Sequence, residues 1–323
     1  MVSGFNPLEL GTQTLTITYG GCTTTFDVEV HEIETETVEA TASNVYDKVS
    51  GLSSGYYLLK LSGEITSFTI ADITSAMDYT SAKIILDLSD TTGLTSTGNG
   101  TFGSGAFWYC DNLISITLPD GLTSIGSDAF TGCGNLINVV IPESVTEIGH
   151  DAFKECSSLI STEIPYGVTT INEETFAYCC SLTSVTIPES VTYIDYSAFE
   201  DCSSLTTVNY RGTQEQWEQI SIGSYNTYLK NASVNYNYTG SVLGKVTGIT
   251  INSTSHKVSY NAGESLDVSG LTIEVTKEDA TTKTVKVSSS MVSGFNSLEL
   301  GTQTLTITYG GCTTTFDIEV IEE

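Results

Sequence analysis

From Phe107 to Leu205 the apolar side chains return on a fixed interval. Phe107, Phe130, Phe153, Phe176 and Phe199 stand 23 residues apart, and so do Leu113, Leu136, Leu159, Leu182 and Leu205. Pro119, Pro142, Pro165 and Pro188 keep the same step, as do Cys110, Cys133, Cys156, Cys179 and Cys202. Independent columns in one register define an internal repeat. One unit reads CGNLINVVIPESVTEIGHDAF. In it Leu136, Val139 and Ile141 have a spacing in which the last two alternate along one strand. Pro142 ends that strand because it cannot donate to a ladder. Val145 and Ile148 begin a return segment, and Phe153 fills the centre of the coil. One such unit buries little by itself, so stability must come from stacking neighbours into a continuous core. The pattern predicts a solenoid.

The period changes on both sides of the repeats. Leu305, Ile307 and Tyr309 alternate up to Gly310-Gly311, and Phe316, Ile318 and Val320 alternate after it, which predicts a hairpin with one buried face. Thr213 and Gln216 have capping-box spacing before Trp217 and Ile220, which give a short helix one apolar face. Residues 1–30 repeat residues 291–320 except for Pro7 against Ser297 and Val28 against Ile318.

The 23-residue unit resembles the BspA-like leucine-rich repeats of bacterial surface proteins, over about Ser43 to Gly240. LSGEITSFTIADITSAM and IILDLSDTTGLTS are similar to that family's N-terminal segment, and the resemblance implies a helix at about Ile70–Met77 before a strand at about Lys83–Leu88. TVNYRGTQEQWEQISIGSYNTYL is similar to its C-terminal cap. SYNAGESLDVSGLTIEV with GTQTLTITYGGCTTTFDIEV is similar to a group 3 bacterial Ig-like domain over Val246–Val320. The expected fold is therefore a leucine-rich-repeat solenoid, strand-rich with few short helices, joined to an all-β Ig-like sandwich. The expected organisation is residues 1–34 as the C-terminal half of an Ig-like domain and 35–100 as N-terminal cap and first irregular repeats. Residues 101–210 are then the regular repeats, 211–242 the C-terminal cap and 243–323 an Ig-like domain. The opening MVSGFNPLEL lacks the basic and apolar regions of a signal peptide, and the duplication makes the chain read as a fragment of a longer array.

Charge narrows the partners. The 323 residues carry 39 acids and 11 bases, so the net charge is 11 − 39 = −28. A phosphate-binding surface needs clustered Lys and Arg, so nucleic acid is an unsuitable partner, and so is an anionic lipid surface. No apolar run approaches the length of a membrane-spanning helix. A hydrophobic content of 39% still supplies ample material for cores.

Candidate chemistry is sparse. The five column cysteines are expected to be a ladder of buried thiols acting as small hydrophobes, the alternative being disulfides or metal ligation. Cys180 lies off the column and is the candidate for an exposed thiol, while Cys22 and Cys312 are equivalent positions in the duplicated segment. No C-x-x-C supports zinc, and no cofactor motif is present. His31, His150 and His256 lie in unrelated contexts, and G-x-S-x-G is absent. Asp87 and Asp90 could be a glycosidase pair, but solvated loop charges explain them as well. A non-enzyme is expected.

Acids form two partial columns, Asp120, Glu143 and Glu189 broken by Tyr166, and Asp128, Asp151 and Glu174. They read as a solubilising surface, or as sites relieved by Ca²⁺ or by a partner's basic patch. Along the strand, Ser115, Asn138, Ser161, Ser184 and Thr207 share one exposed column, and Thr117, Val140, Glu163, Thr186 and Asn209 the next. As a concave face this would be shallow, polar and nearly uncharged. The expected ligand-binding residues are Asn138, Val140, Glu163, Ser184 and Thr186 on that face, with Glu143 and Glu189 steering association. Aromatics near the C-terminal cap (Tyr210, Trp217, Tyr225, Tyr228, Tyr236 and Tyr238) either close the core or form a platform for sugar or protein.

The resemblance implies a secreted bacterial protein at the cell surface that adheres to a host or bacterial surface protein or glycan. The rival is a structural spacer that projects another domain from the envelope. A lone two-stranded hairpin is marginal in water, so residues 1–30 are expected to find a partner, through self-association or exchange of the two near-identical segments.

Overall fold

Each 23-residue unit contributes two short parallel strands, one before its proline and one after. The structure, a computed structural model, describes residues 2–3, 11–19, 22–30, 35–94, 101–102, 105–239, 246–253, 256–277 and 280–322. It falls into two compact units, residues 1–36 and residues 37–323.

The first strand of each coil joins a ladder that begins irregularly and becomes regular. Tyr56–Glu64, Lys83–Thr92, Leu113–Thr117 and Asn138–Val140 pair in parallel. Ser161–Glu163, Ser184–Ile187, Thr207–Tyr210 and Ser233–Asn235 form the next sheet. The amide of Ile160 donates to the carbonyl of Ile137 at 3.3 Å, which carries the stacking across the break between the two. Two-residue strands such as Ser124–Ile125 and Glu147–Ile148 build the opposite wall with the same 23-residue offset. The coils approach closely there. A Cβ on Gly149 would stand 2.5 Å from the backbone nitrogen of Ser127, so only glycine fits. The helix before the strand Lys83–Thr92 runs Ser67–Met77, three residues longer at its start than the resemblance implied.

Between the walls the five phenylalanines form a stack. Ring centroids lie 5.3, 5.1, 5.4 and 5.3 Å apart in order from Phe107 to Phe199, with the first three pairs within 4° of parallel. Each phenylalanine amide donates to the next coil, as Phe153 does to the Thr175 carbonyl at 2.8 Å. Phe199 has no further coil of this kind. Its amide donates instead to the side-chain Oδ1 of buried Asn226 at 2.8 Å, and the Asn226 amide group donates back to the Asp195 carbonyl. A side chain thus satisfies the backbone where the repeat ends. Thr213 and Gln216 make the reciprocal capping box before Gln214–Trp217, and Trp217 packs edge-on against buried Tyr210 at 5.1 Å. Ile220 lies beyond the helix and is itself buried.

The cysteine column is a ladder of thiols. Cys133, Cys156, Cys179 and Cys202 donate from Sγ to the carbonyls of Phe107, Phe130, Phe153 and Phe176 at 2.9 to 3.2 Å. All five column cysteines are buried and free. Burial pushes the thiols of Cys110 and Cys202 up to about 12, which removes the reactive thiolate at neutral pH. Cys180 is exposed. Maleimide labelling of the native chain, read by mass spectrometry, should therefore modify Cys180 and spare the five. Cys156→Ser should lower stability by about 1–3 kcal/mol, because a hydroxyl is costlier to bury than a thiol.

Residues 246–322 form two facing sheets. One holds Val246–Ile251, Thr272–Lys277 and Thr282–Lys286, and the other Ser259–Asn261, Cys312–Ile321, Gly301–Tyr309 and Val292–Ser293. Gly310 and Gly311 turn the hairpin at φ of 55° and 79°, the left-handed pair that a two-residue turn of this hand needs. Leu305, Ile307, Tyr309, Ile318 and Val320 are buried beneath the sheets.

In residues 1–36, Gly11–Tyr19 pairs with Cys22–Val30, and Val2–Ser3 lies along the other edge of Gly11–Tyr19. Gly11 faces Val30 and Tyr19 faces Cys22, the register of Gly301 with Val320 and of Tyr309 with Cys312. His31 and the side chains of Leu15, Ile17, Tyr19, Phe26, Val28 and Val30 lie outside the described residues.

Candidate binding surface

The first-strand ladder presents the expected polar face. Ser115, Asn138, Ser161, Ser184 and Thr207 are half-buried between their neighbours, as are Thr117, Glu163, Thr186 and Asn209, while Val140 is exposed. Period-two alternation puts the residues between them, such as Val139, Val185 and Val208, in the core. Towards the cap the columns bond to one another, with Asn235 donating to the side-chain oxygen of Asn209 at 2.9 Å. The face is a stack of hydroxyls and carboxamides at strand spacing.

In the columns from Ser115 to Asn209 the charge is Glu163, and it is already engaged; Asp87 and Lys60 continue its column towards the N-terminal end. Arg211, the only arginine in the sequence, follows the strand Thr207–Tyr210 and reaches back across two coils. Its Nη2 pairs with Glu163 Oε1, and its Nη1 donates to the Tyr166 hydroxyl at 2.6 Å. The guanidinium carbon sits 4.9 Å from the centre of the Tyr166 ring, a cation–π contact. The arginine side chain is 4% exposed and that of Glu163 13%. Glu163 therefore offers a neutralised pair to a ligand, not an open carboxylate.

Glu143 departs from expectation altogether. The column predicts an open carboxylate, yet Glu143 is 3% exposed, while Asp120, Tyr166 and Glu189 in the same column stay partly open. A carboxylate shut away from solvent cannot steer an incoming partner. Asp120 is also occupied: Lys283 of the Ig-like sandwich pairs with it at 2.7 Å. The basic patch that the column calls for is supplied by the same chain.

The second acidic column has a backbone origin. Asp128, Asp151 and Glu174 have φ of 57°, 57° and 52°, and Ser197 continues the series at 55°. Short polar side chains, aspartate among them, tolerate this left-handed turn better than most. The charges are also compensated locally, with Lys154 bridging Asp151 at 2.9 Å and Glu174, and His150 pairing with Asp151. Asp87 accepts from the Ser89 amide, and Asp90 faces Lys286 at 3.6 Å.

The cap aromatics divide between the two readings. Tyr210 is buried and Trp217 packs on it, so these two close the core. Tyr225 is 59% exposed and meets Tyr196 at 5.0 Å outside. Among the described residues no helix is long and apolar enough to cross a membrane, and no group of three or more His, Cys, Asp or Glu is arranged to hold a metal ion.

Sequence reasoning missed Arg211 and the sandwich lysines. The signals were there: a single arginine, a tyrosine breaking an acidic column, and three of eleven bases within residues 277–286.

Residues 100–230 match the model of the BspA type leucine rich repeat region, in six copies, and residues 253–320 match that of the bacterial Ig-like domain of group 3. No curated protein matches the chain. Among solved structures it is similar to the leucine rich repeat protein of T. pallidum, at 36% identity and a TM-score of 0.32, over 33% of this chain and 50% of that one. The chain thus spans half the length of that relative. A leucine rich cell surface protein from Faecalibacterium prausnitzii is 18% identical with a TM-score of 0.23, over 64% of this chain and 96% of that one. A leucine-rich repeat protein from Bacteroides ovatus is 16% identical with a TM-score of 0.28, over 74% and 70%. By these family models residues 100–230 carry BspA type leucine rich repeats and residues 253–320 a bacterial Ig-like domain. Modules of both types are typically binding or structural rather than catalytic.

Proposed function

We propose that the chain is part of a non-catalytic bacterial adhesin that holds a host or bacterial surface protein on the strand face of its solenoid. The observation that supports this most is the pair of open columns running through Asn138, Ser161, Ser184 and Thr207 and through Val140, Glu163, Thr186 and Asn209. They form a regular, nearly uncharged lattice of hydrogen-bonding groups around one exposed apolar residue. The proposed working parts are a half Ig-like domain to residue 34, a cap to 100, repeats to 210, a second cap to 242, and the sandwich.

The test is a binding screen of the full chain against matrix proteins and glycans, followed by Thr186→Arg on the face. The substitution should weaken a protein hit by roughly tenfold or more by obstructing the interface, while the unfolding midpoint stays unchanged. With the net charge at −28, association with a basic ligand should slow as salt rises. Glu189→Gln should slow it further and Glu143→Gln should not. An affinity indifferent to Thr186→Arg moves the site off this face, with Tyr196 and Tyr225 the next place to probe. Self-association by exchange of residues 1–30 with their near-copy belongs to the same proposal, and light scattering of the intact chain against a form lacking residues 1–34 reads it. The rival reading is a spacer that projects another domain from the envelope, for which no ligand would survive the screen.

A further inference from the structure

The sandwich rests on the acidic turn column of the solenoid along a narrow ionic seam. Lys283 pairs with Asp120 at 2.7 Å, Lys286 faces Asp90 at 3.6 Å, and the Ser288 hydroxyl donates to the Gly121 carbonyl at 3.4 Å. A Cβ on Gly121 would come within 2.5 Å of the Ser288 oxygen, so the contact is made against bare backbone. Tyr309, buried at the end of Gly301–Tyr309, lies close enough to Asp120 and Glu143 for their charges to raise its hydroxyl's proton affinity.

Glu143 sits in the same seam. Its column-mates are partly open, and it alone is closed. The charged and titratable groups acting on it come from both sides: Glu163 and Arg211 from the solenoid, Lys277 and Tyr309 from the sandwich. Among the described residues neither carboxylate oxygen has a hydrogen-bond partner. An ionised carboxylate in such a place is expensive, and a protonated one is not.

We propose that this seam is a pH-gated joint, in which the sandwich sits on the solenoid while Glu143 carries its proton and loosens from it when Glu143 ionises. Burial pushes the Glu143 carboxyl up from its ordinary 4.5 to about 7, against the pull of Lys277 and with Glu163 adding to the rise. The docked form therefore holds a proton that an open form, with an ordinary carboxyl, releases. Docking is then strongest below about pH 4.5 and weakens progressively as pH rises to about 7, by up to roughly two orders of magnitude in its equilibrium. The remaining ion pairs do not compensate. The side chains of Lys286 and Asp90 are 72% and 75% exposed, and those of Lys283 and Asp120 52% and 30%, so salt screens them and each contributes little.

Small-angle scattering of the full chain at about pH 5.5 and pH 8.5 tests the joint over the upper part of this window. The maximum dimension should grow at the higher pH, and the Glu143→Gln chain should keep the compact dimension at both. An unchanged dimension in the native sequence, or growth in Glu143→Gln equal to it, overturns the proposal. Should Glu143→Gln fail to fold, hydroxyl-radical footprinting of the native chain decides instead. Oxidation of Tyr309 relative to Tyr260, buried elsewhere in the sandwich, should rise several-fold with pH. A constant ratio overturns the joint.

Discussion

Phe153→Ala will destabilise the solenoid by about 3–5 kcal/mol, among the largest effects of any single truncation in the chain. The ring is fully buried and lies between Phe130 and Phe176, 5.1 and 5.4 Å away and within 2° of parallel to each. Removing it leaves a cavity that the neighbours cannot close. Phe130 donates to Ala152 and Phe153 to Thr175, both at 2.8 Å, so backbone hydrogen bonds fix the spacing of the coils. Collapse of the stack would break that ladder. Phe153→Leu, which keeps most of the volume, should cost under about 1.5 kcal/mol. Both tryptophans, Trp108 and Trp217, lie in the solenoid, so tryptophan fluorescence in a urea titration isolates its transition from that of the sandwich. An effect below about 1 kcal/mol for Phe153→Ala would mean that the core is not the stiff, one-dimensional stack described above.

The same one-dimensional logic explains which features could be read from the sequence. Stacking forces equivalent positions into equivalent surroundings, so the Phe, Leu, Cys and Pro columns carry the coil on their face, and the duplicated hairpin carries its register. Positions that meet something outside their own stack lose that legibility. Glu143 has an ordinary place in its column, and nothing within 23 residues of it announces Lys277 or Tyr309. Glu163 reads as a face residue until Arg211, 48 positions later, is folded over it. The Asp128, Asp151 and Glu174 column was visible but misleading, because charge drew attention where backbone conformation was the cause. The strand face was legible as a surface, but a lattice of serine, threonine and asparagine names no ligand.

Arg211→Met will destabilise the solenoid by about 3–5 kcal/mol at pH 8, because it strands carboxylates that the guanidinium now compensates. Arg211 pairs with Glu163, bonds and covers Tyr166, and lowers the proton affinity of Glu143. Methionine keeps much of the length and apolar stem, so the loss reads the charge more than the packing. The sign with pH follows from linkage. Without the cation, buried Glu143 holds its proton still more tightly in the folded chain than in the unfolded one. The folded state then binds the extra proton, and stability of the variant rises as pH falls. The deficit relative to the native sequence should shrink towards pH 5. Glu163→Gln in the Arg211→Met background should recover part of it at pH 8, since an amide tolerates the site better than an unpaired carboxylate. A deficit that stays constant between pH 8 and pH 5, and is untouched by Glu163→Gln, would show that Arg211 acts through its packing on Tyr166 alone. The cluster would then have no electrostatic part in holding the strand face.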